Sequence, residues 1–166
     1  MSNISPEMEA KVGTQTSRQV SYPVSASDIR RWALAVYYPD PAPERYLTTD
    51  ESALVAPEEF NPFAWAVVEE ETLPAAQGLD ANDPDRTEKS LGIAGPGLKF
   101  MLNGGMVIEY GAPIKVGDVI TSVSRLAGYK EREGRLGLML FTDSESTWTN
   151  QRGEFVRRSV NTLIRY

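Results

Sequence analysis

The two side chains on which many active sites depend are missing from this 166-residue sequence, which contains no histidine and no cysteine. Their absence excludes a Ser-His-Asp triad, a His- or thiolate-ligated metal, a cysteine nucleophile and any disulfide. Chemistry done by the chain alone must come from carboxylates, lysine, tyrosine, serine or backbone dipoles. No Gly-rich phosphate loop stands out, and no metal-ligand spacing; no metal site is expected. Basic residues group over Lys130 to Arg135 and again at Arg152, Arg157 and Arg158. Acids are interleaved with them, so a turn and solvated strand ends account for the pattern.

Lys plus Arg number 17 against 23 Asp plus Glu, a net charge of -6. That balance lacks the basic surface of a nucleic-acid binder. With 41% hydrophobic and 24% charged residues the chain reads as one soluble domain with a real core. No apolar run approaches the roughly 20 residues that cross a bilayer. Residues 1–19 are polar with Glu7 and Glu9 early, unlike a signal peptide. A cytoplasmic protein with neither nucleic-acid nor membrane partner is expected.

The elements that must position any site follow from spacing. Residues 1–19 show no periodicity and read as a flexible arm preceding a single domain over 20–166. Ser25 and Asp28 open a helix whose apolar face is Ile29, Trp32, Ala33, Val36 and Tyr37, and Tyr38-Pro39 stops it. A proline-rich loop follows, Pro39-Asp-Pro-Ala-Pro-Glu-Arg45. Asn61-Pro62 then predicts a second helix over 63–68, with Phe60 and Trp65 as its hydrophobic staple. That helix is apolar on nearly every side and should be wholly buried, with Glu69 to Glu71 as a solvated end. Residues 73–97 have no period and read as a long lid or a disordered loop.

The last third alternates like strands: Met106 to Tyr110, Val119 to Tyr129, Leu136 to Thr149, and a final strand from Val156. Lys130 to Arg135 and Asn150-Gln-Arg-Gly153 are the intervening turns. Long antiparallel strands after a buried helix predict an α+β fold in which a curved sheet wraps that helix.

This order of elements resembles the hotdog fold, and three motifs resemble the MaoC-like dehydratases, the (R)-specific enoyl-CoA hydratase family. Ala56-Pro57-Glu-Glu-Phe60 is similar to their A-P-P-x-F segment. Glu109-Tyr-Gly-Ala-Pro-Ile-Lys-Val-Gly-Asp118 is similar to E-Y-x-x-P-[LIV]-[KR]-x-G-D. Asn150-Gln-Arg-Gly-Glu154 is similar to the N-x-x-G-E hairpin. The resemblance spans residues 20–166 and is nearest to the N-terminal half of these dehydratases. It implies hydration of a trans-2-enoyl thioester, or the reverse dehydration, with acyl-CoA or an acyl-carrier-protein thioester as substrate and no cofactor.

The family's catalytic loop reads G-D-x-N-P-x-H, where Asp and His activate a water and a backbone amide polarises the thioester. Here Asp40 stands at the Asp, Ala42 replaces the Asn and Arg45 replaces the His. Arginine stays protonated and cannot take a proton from water. An ion pair with Arg45 would also make Asp40 a poor base. The resemblance therefore implies a subunit with no catalytic residue of its own. A second hotdog chain with an intact loop would complete it, as a heterodimer or a dimer of heterodimers, and the freed space would suit a long or bulky acyl group. Phe60, Phe63 and Trp65, together with Lys99, Asn103 and Gly104, are the candidate substrate contacts; core packing and strand-bending glycines are the plainer reading of each. An alternative is an acyl-CoA thioesterase or acyl-thioester binding module using Glu58 or Glu59 near the buried helix.

Overall fold

The computed structural model describes residues 2–166. Its centre is one six-stranded sheet in the order β2-β1-β4-β5-β6-β3, antiparallel at every junction. The strands are β1 (Gln15–Ser21), β2 (Val67–Thr72), β3 (Met101–Tyr110), β4 (Ile120–Gly134), β5 (Gly137–Asn150) and β6 (Phe155–Arg165). Three helices accompany them: α1 (Pro6–Ala10), α2 (Ala26–Tyr37) and α3 (Arg86–Ser90).

α2 forms as its sequence demands. The Ser25 side chain accepts the Asp28 N–H at 3.1 Å, capping the first turn. Ile29 and Ala33 are fully buried. Ile29 joins Val24, Leu54, Phe60, Ile114, Ile120, Trp148 and Val156 in the main core, so α2 covers one end of the sheet.

The meander also forms, with longer strands than the alternation indicates. The β4–β5 turn shrinks to Arg135 and Leu136, because Gly134 pairs with Gly137, whose φ of 92° suits a two-residue hairpin. Lys130 to Glu133 are strand residues, not a turn. Several of their charges stay exposed at the strand ends, so the sheet accepts them without desolvation. In the β5–β6 hairpin, Asn150 Oδ1 accepts the N–H groups of Arg152 and Glu154, each at 3.0 Å.

Three expectations are corrected. Residues 1–19 are not a loose arm. Ser5 caps α1, Met8 is buried, and β1 lies inside the sheet between β2 and β4. Its polar sequence hid it, because its stability comes from ladders to two distant strands.

The buried helix over 63–68 is absent. Asn61 instead closes one tight turn, its Oδ1 accepting the Phe63 N–H at 3.0 Å, and the chain continues as β2. Val67 and Val68 are β-branched, and three glutamates would oppose a helix dipole at its C-terminus. On β2 those acids face partners on β1: Arg18 reaches Glu69 at 2.7 Å and Gln19 reaches Glu70 at 2.9 Å. The long helix that packs on the sheet is α2. Nor does the staple form, since Trp65 is 67% exposed while Phe60 packs edge-on to Trp32.

Residues 73–97, finally, are a docked segment rather than a free loop. They contain a single 3-10 turn, Pro74–Ala76, and α3, which Glu88 anchors to the sheet.

Candidate functional site

Registers across β4, β5, β6 and β3 define the inner face, the one on which α2 and α3 lie. Successive rows read Ser122–Trp148–Arg157–Tyr110, then Ser124–Ser146–Ser159–Ile108, then Leu126–Ser144–Asn161–Met106, then Tyr129–Thr142–Leu163–Asn103. α2 closes the end at Trp148 and α3 closes the end at Thr142. Between them Ser144, Asn161, Met106 and Ile108 are exposed. The middle of the inner face is thus an open trough with hydroxyls along its floor and apolar side chains toward the β3 edge.

The far end is held by ions. Arg165 Nη1 donates to Glu88 Oε2 at 2.7 Å and Nη2 donates to Oε1 at 2.8 Å. Nη2 also reaches Thr142 Oγ1, Nη1 reaches the Pro84 carbonyl, and the Tyr129 hydroxyl donates to Glu88 Oε1, all at 2.8 Å. Burial and the Glu88 charge push the Tyr129 hydroxyl well above its ordinary range, so it stays a neutral donor.

At the near end, the proline-rich loop folds against α2. Ala42 and Tyr46 are buried with Ala33, and the Tyr46 ring lies tilted by 31° against Tyr37, with centroids 6.0 Å apart. Asp40 is exposed. Arg45 lies over the Tyr46 ring at 4.8 Å and forms no ion pair with Asp40 among the described residues. The expected pair is thereby corrected: the ring offers Arg45 a cation–π contact within its own turn. At the three positions matching the catalytic loop, the structure places a solvated acid, a buried methyl and a stacked guanidinium.

The candidate substrate contacts are dispersed. Phe60 is core, Phe63 packs edge-on to Trp148 at 5.2 Å, and Trp65 sits beside Arg31 and Val36 on the outer side of α2. Lys99 is exposed ahead of β3. Asn103 and Gly104 lie at the opposite end of β3 from Tyr110, where the register slips and a Cβ on Gly104 would stand 2.9 Å from Ile164 Cγ1. That close approach gives the glycine a packing reason. Glu58 and Glu59 are exposed and precede a turn, not a buried helix, so the carboxylate position of the thioesterase alternative is not formed.

The motifs that carried the resemblance meet in space as a structural clamp. Asp118 Oδ1 accepts from Gln151 Nε2 at 3.1 Å and Arg152 Nη1 at 3.0 Å, while its Oδ2 accepts the Lys115 N–H at 2.9 Å. Burial alone would raise the Asp118 carboxyl, but these donors outweigh it and hold it below its ordinary value. On the outer face Glu145 is treated alike: burial pushes it up, and Arg158 and Arg125 pull it below the usual range.

Sequence reasoning missed one group on the inner face, the row Trp148, Arg157 and Tyr110. Its only signal was register, because three aromatic or basic residues on three strands become neighbours only once the hairpins are aligned.

An antiparallel sheet with helices on one face and a family clamp at its turns defines an α+β hotdog domain. The chain belongs to the FAS1-like dehydratase domain family, whose model matches residues 10–159. Its fold is similar to a MaoC-like dehydratase from Rhodospirillum rubrum, with TM-score 0.52 and 18% identity over 93% of this chain and 92% of that one. It is also similar to a chain of the ChsH1-ChsH2 complex from Mycobacterium tuberculosis, with TM-score 0.59 and 15% identity over 96% and 87%. A further MaoC-like dehydratase gives TM-score 0.56 and 22% identity over 95% of this chain, which spans 42% of that one. Among curated proteins no sequence match is found. No helix among the described residues is long and apolar enough to cross a membrane.

Proposed function

We propose that this chain is the substrate-shaping, non-catalytic subunit of a heteromeric enoyl-thioester hydratase or 3-hydroxyacyl-thioester dehydratase. One observation carries the reading: the loop that should activate water has Arg45 stacked on Tyr46, and no histidine exists anywhere in the sequence to replace it. A partner hotdog chain supplies the Asp and His, and the reaction uses no cofactor, since water adds across a double bond without redox change. Edge strand β3 supports the partner. Its ten residues pair on one side only, and Leu102, Met106 and Val107 are exposed. The open trough supports a long or bulky acyl thioester, because among the described residues no helix fills the middle of the inner face. A chain of similar fold occurs in the two-protein ChsH1-ChsH2 complex, which is consistent with this arrangement.

The test is co-expression with a hotdog chain carrying an intact G-D-x-N-P-x-H loop. Copurification, with hydratase activity in the mixture and none in this chain alone, is expected. Full activity of the lone chain on any enoyl thioester would overturn the proposal.

A further inference from the structure

Arg157 and Arg158 are neighbours in sequence and opposites in environment. Arg158 turns to the outer face, where Glu145 holds its Nε at 2.7 Å and its Nη2 at 2.5 Å. Arg157 turns to the inner face, with its guanidinium 4.7 Å over the Trp148 ring and 5.9 Å from the Tyr110 ring. Among the described residues it has no ion pair within 4.0 Å, and its buried Nε has no hydrogen-bond partner. A buried donor without an acceptor is unfavourable, so such a group in a native fold calls for an explanation.

Beside it lies a pocket of about 80 Å³ lined by Pro57, Glu58, Pro113, Ile114, Trp148 and Arg157, among others. Its walls are mostly apolar; Glu58 is its one acid and is exposed. A planar guanidinium fixed between rings matches a carboxylate with two parallel N–H···O bonds. The apolar walls suit a carboxylate carried on a hydrocarbon stem better than a fully hydrated phosphate.

We propose that this pocket is a carboxylate-binding site, with Arg157 the residue that receives the anion and Trp148 and Tyr110 the shelf that orients it. Its ligand class is an acyl or alkyl chain ending in a carboxylate. The proposal goes beyond the hydratase reading and does not depend on it, because binding is measured without turnover.

The experiment is calorimetric titration of the full chain with hexanoate, hexanol and inorganic phosphate. Hexanoate should bind one to one, and hexanol should bind at least tenfold more weakly. Arg157→Gln should weaken hexanoate at least tenfold, while Arg157→Lys, which keeps the charge but not the fork, should weaken it less. Near-ultraviolet circular dichroism of each variant checks that the fold is retained. Absence of hexanoate binding to the unmodified chain would overturn the site, as would equal binding by a folded Arg157→Gln chain. Phosphate binding as tightly as hexanoate would replace the carboxylate assignment with a phosphate site. None of these outcomes bears on whether a partner chain confers hydratase activity.

Discussion

Glu88 of α3 and Arg165 of β6 form a two-pronged ion pair in which both side chains have no solvent exposure. They lie 77 residues apart in sequence. The pair ties the segment after β2 to the last strand and closes one end of the inner-face trough. Breaking a fully buried pair leaves one ion unsatisfied, which destabilises by about 3–5 kcal/mol. Glu88→Gln and Arg165→Met should each lower the denaturant midpoint accordingly and expose residues 73–97 to protease. The double variant Glu88→Leu with Arg165→Met should recover most of the stability. A loss in the double variant equal to the sum of the two single losses would show that the pair is not coupled.

Acid should unfold the protein through the clamp and the outer-face triad. Asp118 and Glu145 titrate in the fold below their ordinary values of 3.8 and 4.5. The unfolded chain therefore binds more protons in this range, and stability falls with falling pH. The contribution is fully present above about pH 5.5 and is lost as pH drops through those values and below. Urea midpoints at pH 7, 5 and 3 check this, and Asp118→Asn should flatten the dependence.

Gly104 and Gly111 are among the glycines held by close approach. A Cβ on Gly111 would lie 2.4 Å from the Phe155 carbonyl oxygen, which backbone pairing fixes, whereas on Gly104 the nearest atom is Ile164 Cγ1 at 2.9 Å. Overpacking of this kind destabilises by about 1–3 kcal/mol. Gly111→Ala should sit at the upper end of that range and Gly104→Ala at the lower, by thermal unfolding. A reversed order would refute the packing account.

Edge strand β3 gives a direct test of assembly. Val107 is 73% exposed on it. A charge on an open edge disfavours edge-to-edge pairing, while an exposed substitution usually shifts stability by less than about 0.5 kcal/mol. Val107→Lys should abolish copurification with the hotdog partner and leave the melting temperature of the lone chain nearly unchanged.

Much of the fold was legible because it is local. Ser25 and the Ile29, Trp32 and Ala33 spacing marked α2, and alternation with turn residues marked the three long strands. The clamp turns were legible too, since Gly117-Asp118 and Asn150 to Glu154 carry their own hydrogen-bond logic. β1 and β2 were not legible. Gln15 to Ser21 is mostly polar, and Val67 to Thr72 continues an apolar run that reads equally as helix. Arg18 against Glu69 decides between these, and that contact exists only when the strands meet.

The site divides along the same line. By sequence alone, the lack of histidine and the Arg at position 45 determined that this chain supplies no imidazole acid or base, because protonation chemistry belongs to residue type and needs no geometry. Only the tertiary structure decided that Arg45 rests on Tyr46 instead of pairing with Asp40, and that Glu88 and Arg165 close one end of a trough. The same holds for Arg157, Trp148 and Tyr110, which converge on one pocket. Those relationships arise from strand register and long-range packing, which no spacing along the chain encodes.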